Sequence, residues 1–340
     1  MAYCVSITKA GSPSVLKIQD IEMPVPEGGE VCVEVHYAGI NFADTLMRLG
    51  LYQPRPAFPF TPGYEISGVI HSLGPGVTGF EVGQRIVAAM PTGGQCSHVT
   101  IKTSRVIPIP DEMGLDEAPA MPVTYLTAHH MLHYLGHLKK GETVLIHGGA
   151  GGVGTAALQL CQWAGIEQVW ATASGNKADI IKSFGGTPID RHKEDFTKIV
   201  KEATNGRGVD HILDPIGGDH LTRSLGCLAE GGKLYTFGLS SAAPTSKRSL
   251  LKAFFALRKT PKFDALRLMT RNRGVFGVHM GTWKDEEAMA QQLYRIMEGV
   301  KEGHLKPVID SVFGAKDVAK AHQHIHDAKN IGKVLLRFNE

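Results

Sequence analysis

A glycine-rich turn carries the first chemical signal in this 340-residue chain. It follows a short apolar segment, residues 142–147, and opens an apolar helical pattern over residues 153–163; its members are Gly149, Ala150, Gly151, Gly152, Val153 and Gly154. Without side chains, such a backbone can approach a pyrophosphate, and the helix N-terminus offers unpaired N–H groups and a favourable dipole. A turn without a ligand is the alternative, but the strand-turn-helix context favours a dinucleotide site.

The residues after the next predicted strand bear on the choice of dinucleotide. Sites that prefer NAD usually place Asp or Glu about 20 residues beyond the glycines, and residues 171–177 contain no carboxylate. Ser174 can donate a hydrogen bond to a 2′-phosphate, Lys177 can supply charge, and Arg191 could reach the same phosphate. Taken alone, Lys177 is better explained as a solvated helix residue. We therefore predict NADPH as the cofactor.

The elements around this turn predict an α/β protein with two domains. From about residue 121 onwards, short apolar strands alternate with helices of about 8–12 residues, which is typical of a parallel, doubly wound sheet. Residues 1–120 instead contain short strands separated by Gly and Pro, such as the alternating segment 31–36. Phe237 and Gly238 end a predicted strand at the edge where doubly wound sheets bind ligands, although core packing would also explain Phe237.

Composition limits the classes of protein to consider. Hydrophobic residues make up 43% and charged residues 20%, values typical of a globular protein. A net charge of +3 gives no reason to expect a nucleic-acid partner. Five isolated cysteines indicate reduced thiols, and neither a secretory leader nor a membrane-spanning segment is predicted, so we expect a cytoplasmic protein.

One segment concentrates positive charge. Residues 244–273 contain nine Lys or Arg and one acidic residue, Asp264, with apolar side chains between them. Three interpretations are open: a lid over a substrate cleft, a surface that touches an anionic membrane, and ordinary surface helices with one apolar side. This segment is the only candidate for membrane contact.

Four separated motifs resemble those of the medium-chain dehydrogenase/reductase superfamily, and in particular its zinc-independent quinone oxidoreductases and the VAT-1-like and zeta-crystallin-like proteins. The chain matches a GxNxxD segment at residues 39–44, a PGxExxG segment at 62–68, the nucleotide turn at 147–154 and a closing GK(V/I) strand at 330–334. Their order and spacing together are more specific than any one of them.

The resemblance implies a domain arrangement. A GroES-like β-rich domain would comprise residues 1–122 and be completed by residues 285–340, and an NADPH-binding Rossmann domain would comprise residues 123–284. The active cleft would lie at their junction. A homodimer formed through the strand near residues 275–278 is also expected from the family.

The resemblance also predicts that no catalytic zinc is held. Alcohol dehydrogenases of the superfamily use a Cys, a His-Glu pair and a second Cys or Asp; here Asn41 takes the first position and Tyr64 replaces the His, while Glu65 remains. The lobe of four cysteines that holds structural zinc is absent from the sequence. Because Zn²⁺ prefers thiolate and imidazole ligands, no metal site is predicted.

A metal-free hydride transfer to a quinone or an α,β-unsaturated carbonyl compound is the activity that the resemblance implies. Asn41 would bond the nicotinamide ribose or a substrate carbonyl, and Asp44 would orient it; a turn cap and a salt-bridging residue are the alternatives. Tyr52 would stabilise a developing enolate, or it is a packed aromatic. Further cofactor contacts are implied at Thr127, Asn330 and Gly332.

Two other functions stay open at this stage. One is a zinc-free reductase of enoyl thioesters. The other is a VAT-1-like nucleotide-binding protein with little turnover and a structural or membrane-associated role.

Overall fold

The computed structural model describes residues 1–339, which divide into two compact units. Within the described residues, the first unit comprises residues 1–123, 245–248 and 307–339, and the second comprises residues 124–244 and 249–306. All five cysteines are free and buried. Among residues 1–339, no helix combines the length and the apolar character that a membrane crossing requires.

The order of strands and helices along the chain follows the alternating patterns predicted from the sequence. The strands are β1 Ala2–Ile7, β2 Leu16–Ile21, β3 Glu30–Ile40, β4 Glu65–Leu73, β5 Arg85–Ala89, β6 His98–Lys102, β7 Val106–Pro108, β8 Thr143–His147, β9 Gln168–Ala173, β10 Thr187–Asp190, β11 Val209–Asp214, β12 Leu228–Thr236, β13 Gly274–Gly277, β14 Ile309–Gly314 and β15 Lys333–Arg337. The α-helices are α1 Phe42–Arg48, α2 Thr124–His129, α3 Gly152–Trp163, α4 Ala178–Ser183, α5 Phe196–Ala203, α6 His220–Gly226, α7 Leu250–Arg258, α8 Ala265–Met269, α9 Glu286–Lys301 and α10 Val318–His326.

The first unit is built on a seven-stranded sheet centred on β3. Its order is β14-β15-β3-β4-β5-β7, with β6 also paired to β3, and β1 and β2 form a separate antiparallel hairpin. Val31, Val33 and Val35 are buried as their alternation predicts, and they pack in a core of aliphatic side chains from the N-terminal and C-terminal segments of the unit. Because β15 pairs antiparallel with β3, Val334 lies opposite Ile40. The C-terminal strand thus completes the N-terminal domain.

The second unit is a six-stranded parallel sheet in the order β10-β9-β8-β11-β12-β13. The chain reverses its direction of winding between β8 and β11, and doubly wound sheets bind ligands at such a switch point, beyond the carboxyl ends of the strands. The core beneath includes Leu145, Ile212 and Leu234. The predicted fold class, a GroES-like β-rich part with a Rossmann-type sheet, is confirmed.

The chain returns to the first unit later than the sequence suggests. Residue 285 is the predicted point of return, but α9 lies in the second unit and the return occurs at Pro307. The packing explains the difference: Oε1 of Gln292 on α9 accepts a hydrogen bond from Nδ1 of His129 at 3.2 Å, and Gly299 lies against the ring of Trp163. An amphipathic pattern shows that a helix is half-buried, but not which core it covers.

Two helical regions are divided into shorter elements. Residues 124–135 form α2 followed by a π-helical stretch, His130–Leu135. The basic segment forms two short helices, α7 and α8, and its residues 245–248 lie in the first unit.

Candidate active site

The glycine turn has the geometry that a bound pyrophosphate requires. A Cβ atom on Gly149 would lie 2.5 Å from Cβ of Ala171, and one on Gly154 would lie 2.3 Å from the carbonyl oxygen of Gly148. These two glycines therefore allow strand and helix to pack closely. A Cβ atom on Gly151 would meet only that same carbonyl oxygen, at 3.3 Å, so this glycine leaves the outer face of the turn open. The three roles are those of a dinucleotide-binding turn.

The N-terminus of α3 supplies the electrostatic part of the turn. Gly151 is the N-cap residue of this 12-residue helix, and Gly152 and Val153 begin it in half-exposed positions, while Ala150 is buried behind them. The first N–H groups of a helix have no partner within the helix, and its dipole favours an anion there. The residues present thus fit a phosphate-bearing nucleotide.

A buried polar network lies under this turn, and sequence reasoning missed it. His147, the last residue of β8, is within 3.1 Å of the Thr172 hydroxyl through Nδ1 and within 3.2 Å of the Ser224 hydroxyl through Nε2. Asp214 accepts hydrogen bonds from Ser224 at 2.7 Å and from His220 at 2.8 Å. Every member is bonded to another, so the network holds the carboxyl ends of β8, β9 and β11 in fixed register.

Burial and pairing set the protonation of this network. Burial lowers the pKa of His147 to about 3, so its imidazole is neutral. Burial alone would raise the pKa of Asp214, but the hydrogen bond from His220 and the two neighbouring imidazoles lower it to about 2. The only sequence signal for this network is that Asp214 ends an apolar strand.

The residues predicted to hold a 2′-phosphate lie near the ends of β9 and β10. The Ser174 hydroxyl is 3.4 Å from Nε2 of His192, and Nε of Arg191 donates a hydrogen bond to the same nitrogen at 3.2 Å. His192, which the sequence did not indicate, therefore connects Ser174 with Arg191. Lys177 is only 7% exposed, which contradicts its alternative as a solvated surface residue.

Carboxylates also border this region, which sequence reasoning overlooked. A pocket beside the end of β9 is lined by Ala173, Ser174, Gly175, Ala178, Pro188, Ile189, Asp190 and Glu194. Asp190 accepts a hydrogen bond from the backbone N–H of His192 at 3.0 Å, and Glu194 accepts one from the backbone N–H of Asp190 at 2.6 Å. Both carboxylates are thus bonded to the loop that follows β10. Residues 171–177 contain no carboxylate, but two carboxylates of the neighbouring segment, Asp190 and Glu194, line the same pocket.

Three further predicted contact residues lie in the second unit. Phe237 and Gly238 directly follow β12, and Phe237 donates a backbone hydrogen bond to Asp214 at 3.2 Å. A Cβ atom on Gly238 would lie 2.6 Å from the carbonyl oxygen of Pro215, so this glycine has a packing role. Phe237 is half-buried, and Thr127 is buried on α2. Their contact with a cofactor stays a prediction.

In the first unit, Asn41 and Asp44 form the start of α1. Asp44 is fully buried and accepts hydrogen bonds from the backbone N–H groups of Asn41 at 2.8 Å and Gly63 at 3.1 Å. It therefore orients the backbone of Asn41 rather than its amide. Burial raises the pKa of Asp44 to about 7, although these two hydrogen bonds and the charge of Lys333 lower it.

The amide of Asn41 is oriented by a buried ion pair that the sequence did not reveal. Its Nδ2 donates to the carboxylate of Glu65 at 2.8 Å, and its Oδ1 accepts from Nζ of Lys333 at 2.7 Å. Lys333 also donates directly to Glu65, which accepts from the Val123 N–H at 2.8 Å. We call Asn41, Glu65 and Lys333 the buried cluster. Gly39 makes room for it, since a Cβ atom there would lie 2.5 Å from the Glu65 carboxylate.

The buried cluster does not fit a catalytic zinc ion. Asn41 and Tyr64 offer an amide and a phenol where thiolate and imidazole ligands are required. The ammonium group of Lys333 is bonded to both Asn41 and Glu65, so a dication beside them would meet a buried positive charge. Within residues 1–339, two side-chain groups could hold a metal ion, and neither contains a member of the buried cluster.

Tyr52 and Tyr64 form a hydrogen-bonded pair of phenols beside the buried cluster. Burial raises the pKa of both tyrosines, and the charge of Asp44 raises them further, whereas the bond from Tyr64 lowers that of Tyr52. Both phenols are therefore neutral donors at physiological pH. Tyr52 also packs at the edge of the aliphatic core, so its alternative as a packed aromatic and its predicted role are compatible.

The last two predicted contacts shape the turn before β15. The amide of Asn330 donates to the carbonyl oxygen of Gly332 at 2.9 Å. Gly332 has a φ of +80°, and a Cβ atom there would lie 2.2 Å from the carbonyl oxygen of Val308. These local roles explain both residues in the structure, and cofactor contact by them stays a prediction.

Comparison with known proteins agrees with the class that the fold and turn define, a GroES-like domain joined to a dinucleotide-binding sheet. The alcohol dehydrogenase GroES-like domain matches residues 27–132, and the zinc-binding dehydrogenase family matches residues 186–336. The rat (Rattus norvegicus) synaptic vesicle membrane protein VAT-1 homolog is 36% identical over 337 residues, which cover 98% of this chain and 83% of the relative.

Two further relatives connect the chain with quinone oxidoreductases. The rat quinone oxidoreductase is 28% identical, with 98% of this chain and 96% of the relative covered. The crystal structure of the Escherichia coli quinone oxidoreductase complexed with NADPH superposes with a TM-score of 0.86 at 26% identity and covers 99% of this chain and 100% of that one. The chain belongs to the medium-chain dehydrogenase/reductase superfamily, in its VAT-1-like branch.

Proposed function

We propose that this protein is an NADPH-dependent reductase that transfers a hydride, without zinc, to a quinone or an α,β-unsaturated carbonyl compound. The observation that carries the proposal is the glycine turn, whose open face at Gly151 and helix N-terminus suit a pyrophosphate. The NADPH complex of the bacterial quinone oxidoreductase supports this choice of cofactor. Ser174, Lys177 and Arg191 are the proposed contacts to the 2′-phosphate.

When bound, NADPH would supply the hydride, and the acceptor would gain that hydride and one proton. Asn41 is suited to hold a ribose hydroxyl or a carbonyl group, because its amide orientation is defined by Glu65 and Lys333. Tyr52 is suited to donate a hydrogen bond to the oxygen on which negative charge develops, because burial keeps its phenol protonated. Tyr64 would orient that phenol.

The experiment is NADPH oxidation by the purified chain against quinones, enones and enoyl thioesters, with NADPH affinity measured separately. Turnover of quinones or enones supports the proposal, and preference for thioesters would identify the other reductase class. Tight NADPH binding with no turnover on any acceptor would overturn the enzymatic function and favour a nucleotide-binding protein with a structural role.

Zinc independence has its own measurement. We expect turnover to be unchanged after exhaustive treatment with a chelator, because the proposed steps use the amide, phenol and ion pair of the first unit. Loss of activity on chelation, with recovery on adding Zn²⁺ alone, would contradict this expectation. The matched control is the same treatment applied to a zinc-containing alcohol dehydrogenase, which must lose activity.

Membrane association is a second candidate function, favoured by the exposed side chains of α7 and α8. Leu251, Phe255, Leu266 and Met269 are at least half exposed and lie among the nine basic residues of segment 244–273. Exposed apolar and basic side chains together suit an anionic lipid surface, and the VAT-1 homolog is a vesicle membrane protein by name.

Co-sedimentation with vesicles tests this candidate. We expect binding to vesicles that contain anionic lipid, weak binding to purely zwitterionic ones, and loss of binding in a Leu251→Ser, Phe255→Ser variant. Tyr294→Ser is the matched control, because Tyr294 is 70% exposed on α9, away from the basic segment. Equal binding to both vesicle types, or none, would exclude the electrostatic interaction.

Homodimerisation through β13 is the proposed assembly. This strand is the edge of the six-stranded sheet in the described chain and pairs only with β12 there. An exposed edge strand can pair with a second copy of itself. Sedimentation should give a dimer for the wild-type chain, and Val275→Pro should shift it toward monomer; an unchanged dimer would place the interface elsewhere.

A further inference from the structure

Three potential metal ligands meet on the sheet of the first unit. Glu34 of β3, His71 of β4 and His98 of β6 each offer one ligand atom, and these atoms all lie within 4.8 Å of one another. Glu34 and His98 are half-buried and His71 is exposed, so the group is open to solvent on one side. We call it the strand triad. Nothing in the proposed reduction uses it.

Sheet register brings these residues together. Glu34 and His98 are directly opposite each other in the antiparallel pairing of β3 with β6. On the other side of β3, Cys32 pairs with Ser72 and Val33 with Ile70, so His71 is an extra residue without a partner in the ladder. Such a β-bulge redirects the side chain that it carries. The triad therefore depends on strands separated by up to 64 positions in sequence, between Glu34 and His98.

A neighbouring contact helps to orient one ligand. Nδ1 of His98 is 3.2 Å from the Ser97 hydroxyl, which accepts a backbone hydrogen bond from Tyr3 at 2.9 Å. A bond from Nδ1–H to this hydroxyl would leave Nε2 of His98 as a free acceptor. Metal-bound imidazoles are commonly held through their second nitrogen in this way. The His71 and His98 rings are perpendicular, with centroids 5.2 Å apart.

We propose that the strand triad binds one divalent transition-metal ion, with Zn²⁺ the best match. Two imidazole nitrogens and one carboxylate oxygen are borderline ligands that suit Zn²⁺, at bond lengths of about 2.0–2.2 Å. Small side-chain rotations would bring the three atoms to that distance from a shared centre. Water completes the coordination on the exposed side.

The triad is distinct from the buried cluster and from the second potential metal group. Ile40, which precedes Asn41, lies six positions after Glu34 on β3, which corresponds to about 20 Å along the strand. In the second group, His147, Asp214 and His220, both ring nitrogens of His147 and both carboxylate oxygens of Asp214 already take part in hydrogen bonds under the glycine turn. The strand triad is thus the group whose ligand atoms are more available to a metal ion.

The test is calorimetric titration of the metal-stripped full chain with Zn²⁺ alone. One equivalent should bind, and affinity should fall about tenfold or more in His71→Ala, in His98→Ala and, more weakly, in Glu34→Gln. Co²⁺ should give the visible absorption of a low-coordinate N/O site, and this absorption should be lost in the same variants. His137→Asn is the control, because His137 is an exposed histidine outside both groups, and its positive φ of 51° suits Asn.

The variants are expected to fold, since their side chains lie on the outer face of the sheet, and circular dichroism with a thermal midpoint checks this. Zn²⁺ should raise the midpoint of the wild-type chain and of His137→Asn but not of the triad variants. Undiminished Zn²⁺ binding in a folded His71→Ala, His98→Ala double variant would overturn the proposal. So would the absence of binding to the wild-type chain. Because turnover is not measured, the outcome is independent of the proposed reductase activity.

Discussion

The glycine turn of the second unit is built from backbone groups, whereas the buried cluster of the first unit is built from side chains. The turn uses backbone N–H groups and the absence of side chains at Gly149, Gly151 and Gly154, all within six residues. The cluster uses charged side chains, Glu65 and Lys333, that lie 268 residues apart and are almost completely buried. A site made of backbone is therefore most sensitive to added volume, whereas a buried ion pair is most sensitive to the loss of a charge.

The largest expected effect comes from Lys333→Met, which keeps the length of the side chain and removes its charge. The Glu65 carboxylate would stay buried without its ion-pair partner, and we expect a loss of about 3–5 kcal/mol in the free energy of unfolding. Denaturant titration measures it. Glu65→Gln combined with Lys333→Met should recover part of the loss, because no buried charge remains. A single variant as stable as the wild-type chain would show that the pair is solvated.

Two alanine substitutions in the turn should separate packing from ligand approach. Gly154→Ala places a Cβ atom against the Gly148 carbonyl and should cost about 1–3 kcal/mol of unfolding free energy as well as NADPH affinity. Gly151→Ala should cost less than about 1 kcal/mol, because its surroundings are open. This variant should nevertheless lower the affinity for NADPH about tenfold, as measured by fluorescence titration. Equal effects of both variants on both quantities would contradict this division of roles.

The buried carboxyl group of Asp44 should make stability depend on pH. Its pKa rises from 3.8 to about 7 on folding, chiefly through burial, so the folded chain binds more protons between these values. Stability from this group is therefore complete below about pH 4 and is lost as pH rises through 7. The unfolding free energy of the wild-type chain should therefore fall relative to that of Asp44→Asn as pH rises from about 4 to 7. Asp20→Asn, which replaces an exposed carboxylate, is the control.

The smallest expected effect concerns the choice of cofactor. Lys177→Ala should lower the affinity for NADPH about tenfold and leave the affinity for NADH nearly unchanged, because only NADPH carries the 2′-phosphate. Lys182→Ala is the matched control, since Lys182 follows closely in α4 and its 63% exposed side chain pairs with Asp179. If the affinities for both cofactors fall equally, Lys177 contributes to the fold of this region rather than to cofactor specificity. Arg191 then becomes the residue to test.

Local signals predicted most of the nucleotide-binding half. Strand β8 and helix α3 each differ by one residue at one end from their predicted limits, residues 142–147 and 153–163. Each of these elements is short and strongly patterned, so propensity and periodicity agree. The surroundings of Ser174 were harder to predict from the sequence. The positions of Asp190, His192 and Glu194 beside it depend on which strands are neighbours in the sheet. The point of return near residue 285 was missed for the same reason, since it depends on which core α9 covers.

The sequence alone determined the class of fold, the glycine turn and the substitution of Asn41 and Tyr64 for zinc ligands, because each of these follows from residue type within a short segment. Tertiary structure alone decided the partners of these residues. Lys333 reaches Asn41 and Glu65 because β15 pairs with β3, and His147 is linked to Asp214 through Ser224 because β8 lies beside β11. Pairing of distant strands depends on the packing of the whole unit, which no local pattern encodes.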